Sequence, residues 1–228
     1  MSLSPSRPAT PSASPSASAP SVAEVLRPLR TATHALHEAL DSQLPIARDD
    51  ASLADYAAHL RALRPWLESV RHALAASGDA GLGRVAHRTE RRLAALALDL
   101  EDADAAPPDA APDSRPDAGP DSRPDPWAGK ARDPAFAWGL AYVLEGSQLG
   151  GASMFKRLGP RLAPHPMRYF QPVDAPEGLA AQWKEFVAQL AAVLRDPAAV
   201  AAAQRGAVAG FESLLPRFGL AGRQPASL

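Results

Sequence analysis

Apolar residues recur along most of this chain at the three- and four-residue spacing that is typical of amphipathic helices. The first run begins at Val22 and ends within residues 42–45, and its apolar members fall on one narrow stripe of a helical wheel. A second run starts near Ser52 and continues to Gly78, and Asp55 follows Ser52 at the spacing of a capping box. Both runs predict long helices that bury one face.

The remaining apolar runs predict four more helices. They cover residues 82–100, 134 to about 160, 179–194 and 197–215. The helix at Pro134 follows Asp133, and proline is favoured in the first turn of a helix. The chain shows no convincing two-residue alternation of the kind that marks a strand. The predicted fold class is therefore all-α, with one multi-helix domain over residues 22–219.

Three segments fall outside these helices. Residues 1–21 are rich in Ser, Pro and Ala, residues 103–132 are rich in Pro and Asp and contain PDSRPD twice, and residues 220–228 follow the last helix. Pro/Ser- and Pro/Asp-rich segments bury too little apolar surface to offset the entropy lost on ordering. We expect a disordered tail at each end and a flexible inserted loop between the third and fourth helices.

The amino-acid composition of the chain limits which classes of function it can have. The chain has 228 residues, of which 46% are hydrophobic and 21% charged, with a formal net charge of -1. This balance gives no electrostatic reason to expect nucleic acid or a membrane as a partner. The absence of cysteine excludes disulfides, thiolate metal sites and cysteine nucleophiles, and it is compatible with a reducing cytoplasm. With no signal-peptide run or membrane span, we expect a cytoplasmic protein.

The predicted fourth helix is unusual because its central stretch, residues 137–155, contains four glycines. They are Gly139, Gly146, Gly150 and Gly151. Each interior glycine costs a helix about 1 kcal/mol relative to alanine, so something has to approach this backbone closely. Tight packing against a neighbouring helix, or a kink, is one explanation. The other is a flat ligand that the helix passes over, with the glycines removing side chains that would strike it.

The first helix carries a second candidate feature, His37, at the edge of its apolar stripe. His34 points further towards solvent, whereas Arg30 lies two turns before His37 and projects the same way. An arginine beside an imidazole disfavours the imidazolium but suits a ligand with carboxylates, and neutral imidazole is a common axial ligand of haem iron. A purely structural histidine is the alternative.

Two motifs together carry a resemblance to a known family. ALHEALD at residues 35–41 and YVLEGSQLGG at residues 142–151, in this order on an all-α chain, resemble the biliverdin-producing haem (heme) oxygenase family, particularly its bacterial branch. The resemblance implies a haem held between the N-terminal helix on its proximal side and a glycine-kinked distal helix. It makes His37 the axial iron ligand. By the same resemblance Arg30 and Lys184 match propionate contacts, Tyr142 the haem edge, and Gly146, Gly150 and Gly151 the distal helix.

The resemblance also implies an activity, the oxidative cleavage of haem to biliverdin, carbon monoxide and ferrous iron. Haem would be both substrate and cofactor, and O2 and electrons from a ferredoxin, flavodoxin or NAD(P)H-dependent reductase would be consumed. Many family members carry an aspartate after the glycine that matches Gly146, whereas this chain has Ser147. The expected catalytic residues are Ser147, whose hydroxyl can anchor a distal water, with Gly146 and Gly150 giving oxygen room. A small packing residue is the alternative for Ser147.

Other polar residues are expected to serve structure. Glu38 and Glu145 are predicted on helix surfaces or in interhelical pairs. His59, His72, His87 and His165 have no metal-ligand spacing, and the arginines of the third helix are 84, 88, 91 and 92. That basic helix is expected to be a solvated face, or else a docking face for an acidic electron donor such as ferredoxin. Rival functions are a non-enzymatic haem carrier and an all-α interaction protein with a structural His37.

Overall fold

The computed structural model describes residues 20–106, 127 and 129–220, and in these residues the chain forms six α-helices and no strand. The helices are α1 (Val22–Gln43), α2 (Leu53–Ala76), α3 (Ala80–Ala105), α4 (Pro134–Leu162), α5 (Leu179–Val193) and α6 (Pro197–Leu214). Short 3-10 turns lie at Pro45–Ala47, Lys130–Arg132, Arg168–Phe170 and Leu215–Phe218. The predicted all-α class is confirmed.

Side chains that cap the backbone explain why the helices begin where they do. Ser52 accepts a hydrogen bond from the Asp55 backbone at 3.1 Å, and the Asp55 carboxylate accepts one from the Ser52 backbone at 2.9 Å. Ser21 and Glu24 form the same reciprocal box at the start of α1. Such boxes satisfy backbone N–H groups that have no partner inside the helix.

The core is built on a close crossing of α4 and α6. A Cβ added to Gly139 of α4 would fall far inside van der Waals contact with the carbonyl oxygen of Ala203 on α6. A Cβ on Gly206 of α6 would meet the carbonyl oxygen of Phe136 on α4 in the same way. The two backbones therefore touch at reciprocal glycines, and for Gly139 the explanation is helix packing.

The other helices assemble around this pair. Helix α1 lies along α6, and α2 packs against α3 and also contacts α4. The indole of Trp66 on α2 donates to the carbonyl oxygen of Gly210 at 3.1 Å and to the Ser213 hydroxyl at 3.0 Å, so α2 is tied to α6. Within the described ranges, none of the helices has the length and apolar content that crossing a bilayer requires.

The ends of the predicted loop and tails are partly ordered, which corrects the predicted boundaries. Ser21 is the N-cap of α1, α3 continues through Ala105, and Leu220 donates a backbone hydrogen bond to Leu215. Trp127 is fully buried just before the 3-10 turn that leads into α4. The rest of the predicted tails and loop, residues 1–19, 107–126, 128 and 221–228, lies outside the described residues.

The reciprocal crossing predicts large stability losses for very small changes. Gly139→Ala or Gly206→Ala should lower the free energy of unfolding by about 1–3 kcal/mol, because the added methyl group forces α4 and α6 apart. Gly83→Ala on α3, which meets nothing within 4 Å, is the control and should be neutral or stabilising. Urea unfolding measures all three variants. Equal effects in all three would contradict the close crossing.

Candidate functional site

Helix α4 has an open face from Gly146 to Gly150. Ser147 and Gly150 are exposed, Leu149 retains 39% of its accessible surface, and a Cβ added at Gly150 would have nothing within 4 Å. A Cβ at Gly146 would meet the indole of Trp183 at 3.9 Å, which is an ordinary contact. Apart from Leu149, this part of α4 therefore exposes only backbone and small side chains. The packing of the chain does not require Gly146 or Gly150.

Gly151 lies on the opposite, buried side of α4. A Cβ there would come within 3.0 Å of the Phe170 ring, so contact with this ring explains the glycine. Since Gly139 is likewise explained by its contact with α6, the glycines of the run serve two purposes. Gly139 and Gly151 allow close packing within the protein, whereas Gly146 and Gly150 leave an outer surface clear. Helix α4 is continuous through all of them.

His37 projects from α1 with a defined orientation. Its Nδ1 lies 2.9 Å from Oδ2 of Asp41, one turn further on, and 61% of its side chain is exposed. Its ring also lies 5.8 Å, centroid to centroid, from buried Phe211 of α6. A carboxylate beside Nδ1 favours the tautomer with the proton on that nitrogen, which leaves the Nε2 lone pair free for a metal ion.

Three other histidines, His34, His59 and His165, are engaged differently, whereas His87 resembles His37 in having its Nδ1 near a carboxylate, 3.9 Å from Glu90. In His34 it is Nε2 that faces a carboxylate, 3.8 Å from Glu38. Both nitrogens of His165 contact backbone atoms: Nδ1 accepts from Met167 at 3.1 Å, and Nε2 lies 3.0 Å from the carbonyl oxygen of Asp99. The ring of His59 stacks on Phe218, and burial lowers its pKa to about 4. His37 differs from these three by pairing a free Nε2 with exposure.

Arg30 and Tyr142 join α1 to α4. The Tyr142 hydroxyl is hydrogen-bonded to Arg30 and to Thr33, and burial raises the pKa of this phenol while the Arg30 charge opposes the rise. The Tyr142 ring lies 6.0 Å from Trp183 of α5. Lys184, the next residue on α5, is exposed. The structure thus brings three helices together at Tyr142, with Arg30 in direct contact and Lys184 nearby in the chain.

Helical spacing relates this junction to His37 and to the glycines. Arg30, Thr33 and His37 share one face of α1, and Tyr142 and Gly146 share one face of α4. Both faces lead away from the Arg30–Tyr142 contact towards the C-terminal half of each helix. Helix α6 contacts both helices. Its adjacent residues 210 and 211 meet Val143 of α4 and the His37 ring respectively.

The hydroxyl proton of Ser147 is already engaged in a hydrogen bond within α4. Its Oγ donates to the carbonyl oxygen of Leu144 at 2.7 Å, and Gln148 Nε2 lies 3.5 Å from the same Oγ. A hydroxyl that donates to the helix backbone still has oxygen lone pairs that can accept from a water. Ser147 therefore fits the expected water anchor as an acceptor, on the exposed side of α4.

A buried ion pair lies behind this face, and sequence reasoning did not identify the arginines that form it. Glu145 is 2% exposed, and its Oε1 lies 2.9 Å from Arg92 Nη1 and 3.4 Å from Arg88 Nη2. The prediction that the arginines of α3 form a solvated face is wrong for Arg92, which is 1% exposed. Arg91 instead pairs with Asp174. The interhelical pairing expected for Glu145 is confirmed, and the one signal for it was the arginine spacing, since residues 88 and 92 are one turn apart.

Asp99 organises the segment that follows α4. Its buried carboxylate accepts from the Tyr56 hydroxyl at 2.7 Å and from the Tyr169 backbone at 2.8 Å, and Arg168 lies 3.2 Å away. Asp102 and His165 come close enough to suggest a metal site. The cation of Arg168 is shared by both carboxylates, and both nitrogens of His165 are engaged, so this cluster fits a structural role.

The residues around the open face of α4 fit a haem. An imidazole with a free Nε2 suits the iron, and a glycine-lined helix surface suits the flat ring. Among the described residues, Arg30 and Lys184 have no carboxylate partner, so both are suited to bind propionates. The space that a Cβ would fill at Gly150 is the observation on which this fit depends.

An all-helical domain that combines a free imidazole with a glycine-lined helix face belongs among proteins that can take a flat iron-containing ligand. Comparison with known proteins makes the class specific. A model of the Heme oxygenase family matches residues 23–215. This chain therefore belongs to the haem oxygenase family.

Two relatives illustrate the similarity. The chain is 39% identical over 92 residues to a protein named heme oxygenase from Xanthomonas campestris pv. campestris (strain 8004), covering 39% of this chain and 50% of that protein. The match thus spans about half the length of this curated relative. The NO- and CO-bound heme oxygenase of Neisseria meningitidis superposes with a TM-score of 0.59 at 25% identity, over 90% of this chain and 98% of that chain.

The open environment of Gly150 predicts that glycine is unfavourable there for the fold. Gly150→Ala should raise the free energy of unfolding by about 0.5–1 kcal/mol, because alanine is the better helix former and meets nothing within 4 Å. Gly151→Ala, one residue further, should not stabilise, because its methyl group would press on Phe170. Thermal unfolding compares the two. A loss of stability for Gly150→Ala would show that the fold itself needs this glycine.

Proposed function

We propose that this protein is a haem oxygenase that cleaves haem oxidatively to biliverdin, carbon monoxide and ferrous iron. The observation that carries the proposal is the exposed imidazole of His37 on α1, whose Nδ1 faces Asp41, together with the open face of α4 that is lined by glycine. Family membership and the names of both relatives support it. Bound haem supplies the redox-active iron and the macrocycle that is oxidised.

The proximal side of the site is formed by α1. His37 would hold the iron through Nε2, and Asp41, whose carboxylate lies 2.9 Å from Nδ1, would fix the ring orientation. Arg30 leaves Tyr142 to bind a propionate, and Lys184 binds from α5. A guanidinium constrains a carboxylate through two parallel hydrogen bonds, so Arg30 is the stronger determinant of how the haem is rotated in its plane.

The distal side is formed by α4. Gly146 and Gly150 keep side chains away from the ring, so that small ligands have room between the helix and the haem. Ser147 holds a water through its oxygen lone pairs, and this water delivers protons. Leu149 and Trp183 exclude bulk water from the edges. Gly151 supports this surface from behind through its contact with Phe170.

Electrons come from outside this chain. We propose a ferredoxin, a flavodoxin or an NAD(P)H-dependent reductase as the donor, with O2 as the second substrate. The arginines of α3 are a poor docking surface for an acidic donor, because Arg92 is buried and Arg88 and Arg91 are paired with carboxylates. We therefore place the docking surface at the haem edge, where Arg30 and Lys184 lie.

A non-enzymatic haem carrier is the second candidate, since an exposed imidazole alone would serve it. Titration of the purified protein with haemin, followed by ascorbate or a ferredoxin–reductase system in air, separates the two. We expect a Soret band that decays as a broad red biliverdin absorption grows. A Soret band that survives reduction in air would support the carrier, and no specific band would refute haem binding.

The two exposed histidines of α1 give a matched test of the proximal side. His37→Ala should lose the axial imidazole signature in the ferric spectrum, and turnover should fall to background. His34→Ala should retain both, because its Nε2 faces Glu38. Asp41→Asn should reduce turnover by about tenfold, as for other groups that orient a metal-bound histidine. Equal losses in the two histidine variants would refute the assignment of His37.

A further inference from the structure

Helix α4 changes character at Glu145. Residues 135–141 of the helix are buried apolar groups and glycine, whereas over residues 145–150 one side is open and the buried residues on the other side are polar. The buried polar side chains are Glu145 and Gln148, one turn apart, and they flank Gly146 and Ser147 in the sequence. The open face of α4 is therefore backed by polar contacts.

The contacts of Glu145 are directional. Its Oε1 accepts from Arg92 Nη1 at 2.9 Å, and its Oε2 lies 3.5 Å from Arg92 Nη2. This two-pronged arrangement restricts both the distance and the rotation between α3 and α4. Arg88 approaches the same carboxylate from one turn earlier on α3 and is 19% exposed. A leucine contact at this place would allow α4 to slide or rotate more freely.

Gln148 supplies a second point of attachment. Its side chain is hydrogen-bonded to the Tyr169 hydroxyl, and burial raises the pKa of Tyr169 to about 12. The Tyr169 backbone is in turn held by Asp99 of α3. Two attachments one turn apart fix the rotation of a helix about its own axis. Both lie on the side of α4 that faces away from Gly150.

The energetics of buried ion pairs indicate that stability alone does not explain why Arg92 and Glu145 are buried together. Desolvating two charges can cost as much as their attraction returns, and an apolar pair of similar volume is often at least as stable. The rest of this core is mostly apolar, and among the described residues Asp99 is the other buried charged group. A buried arginine and glutamate in it therefore point to a requirement for defined geometry.

We propose that Arg92 and Glu145, supported by Arg88, are positioning residues that set where the open face of α4 stands over the ligand site. They fix the helix at the residue before Gly146, and Gln148 fixes it one turn later. The position of Gly146 and Ser147 towards a bound haem is thus determined from behind the helix. This inference rests on the proposed haem oxygenase function.

Two kinds of variant test the proposal. One removes the charges of Arg92 and Glu145, and the other keeps the charge at residue 92 but changes its contact geometry. The double variant Arg92→Met/Glu145→Leu removes both fully buried charges and leaves Arg88, which is 19% exposed and can turn its guanidinium to solvent, so it should unfold at a urea concentration close to that of wild type. Arg92→Lys keeps the positive charge but loses the two-pronged contact of the guanidinium with Glu145. In both, we expect the azide affinity of the ferric haemin complex to change by about tenfold or more, as for other residues that orient a metal site from outside.

A haem-free measurement accompanies the azide titration. Amide hydrogen exchange of the protein without haemin should be faster at residues 146–150 in Arg92→Lys than in wild type, with exchange at the Gly139 crossing unchanged. This measurement remains informative if the double variant fails to fold. The two proposals can therefore fail separately. If wild-type protein with haemin shows no Soret band, the proposed haem oxygenase function is refuted. If amide exchange at residues 146–150 is unchanged in Arg92→Lys, the positioning role is refuted.

Arg157 offers a matched control. It ties the other end of α4 to the 3-10 turn at Pro45–Ala47, through the carbonyl oxygens of Ile46 and Ala47, and to Asp49. Arg157→Ala should lower stability without changing azide affinity. If the double variant and Arg92→Lys both keep wild-type azide affinity, or if Arg157→Ala changes it equally, the positioning role is wrong.

Discussion

The contact between α4 and α6 at Gly139 and Gly206 is the constraint on which the rest of this structure depends. Because the two backbones touch, no side-chain atom fits between α6 and the first half of α4 at this crossing. Helix α6 also carries Phe211 to the ring of His37 on α1. The imidazole and the open face of α4 are thus positioned against one common helix, so their relative placement does not rely on loops.

This division of α4 into two halves links packing to function. The first half is held by close backbone contact and can tolerate no added atom. The second half is held on its buried side by polar side chains, Glu145 and Gln148, whereas on its open side a Cβ added at Gly150 would meet nothing within 4 Å. A helix that must be rigid and yet expose its backbone has to be held from behind. The buried charges of α3 provide that hold.

Much of this arrangement could be predicted from the sequence, because it is local. The capping box at Ser52 and the apolar stripe of α1 each depend on residues within one or two turns, and the stripe placed His37 at its edge. Partners distant in the chain could not be predicted in this way. From the sequence, Gly139 and Gly150 carry the same cost in helix stability. Only the three-dimensional surroundings show that Gly139 packs on α6, whereas Gly150 faces open space. The burial of Arg92 likewise depended on Glu145, 53 residues away.

The contact between Arg30 and Tyr142 has a consequence for how an anionic ligand enters. Among the described residues Arg30 is held by a neutral phenol and not by a carboxylate. A cation that is already in an ion pair must lose one charge partner to gain another, and the exchange yields little. In the proposed haem complex an arriving carboxylate would displace a neutral acceptor, so the incoming charge would meet no competing anion. The guanidinium is kept ordered and in place, and its charge is left available for the ligand.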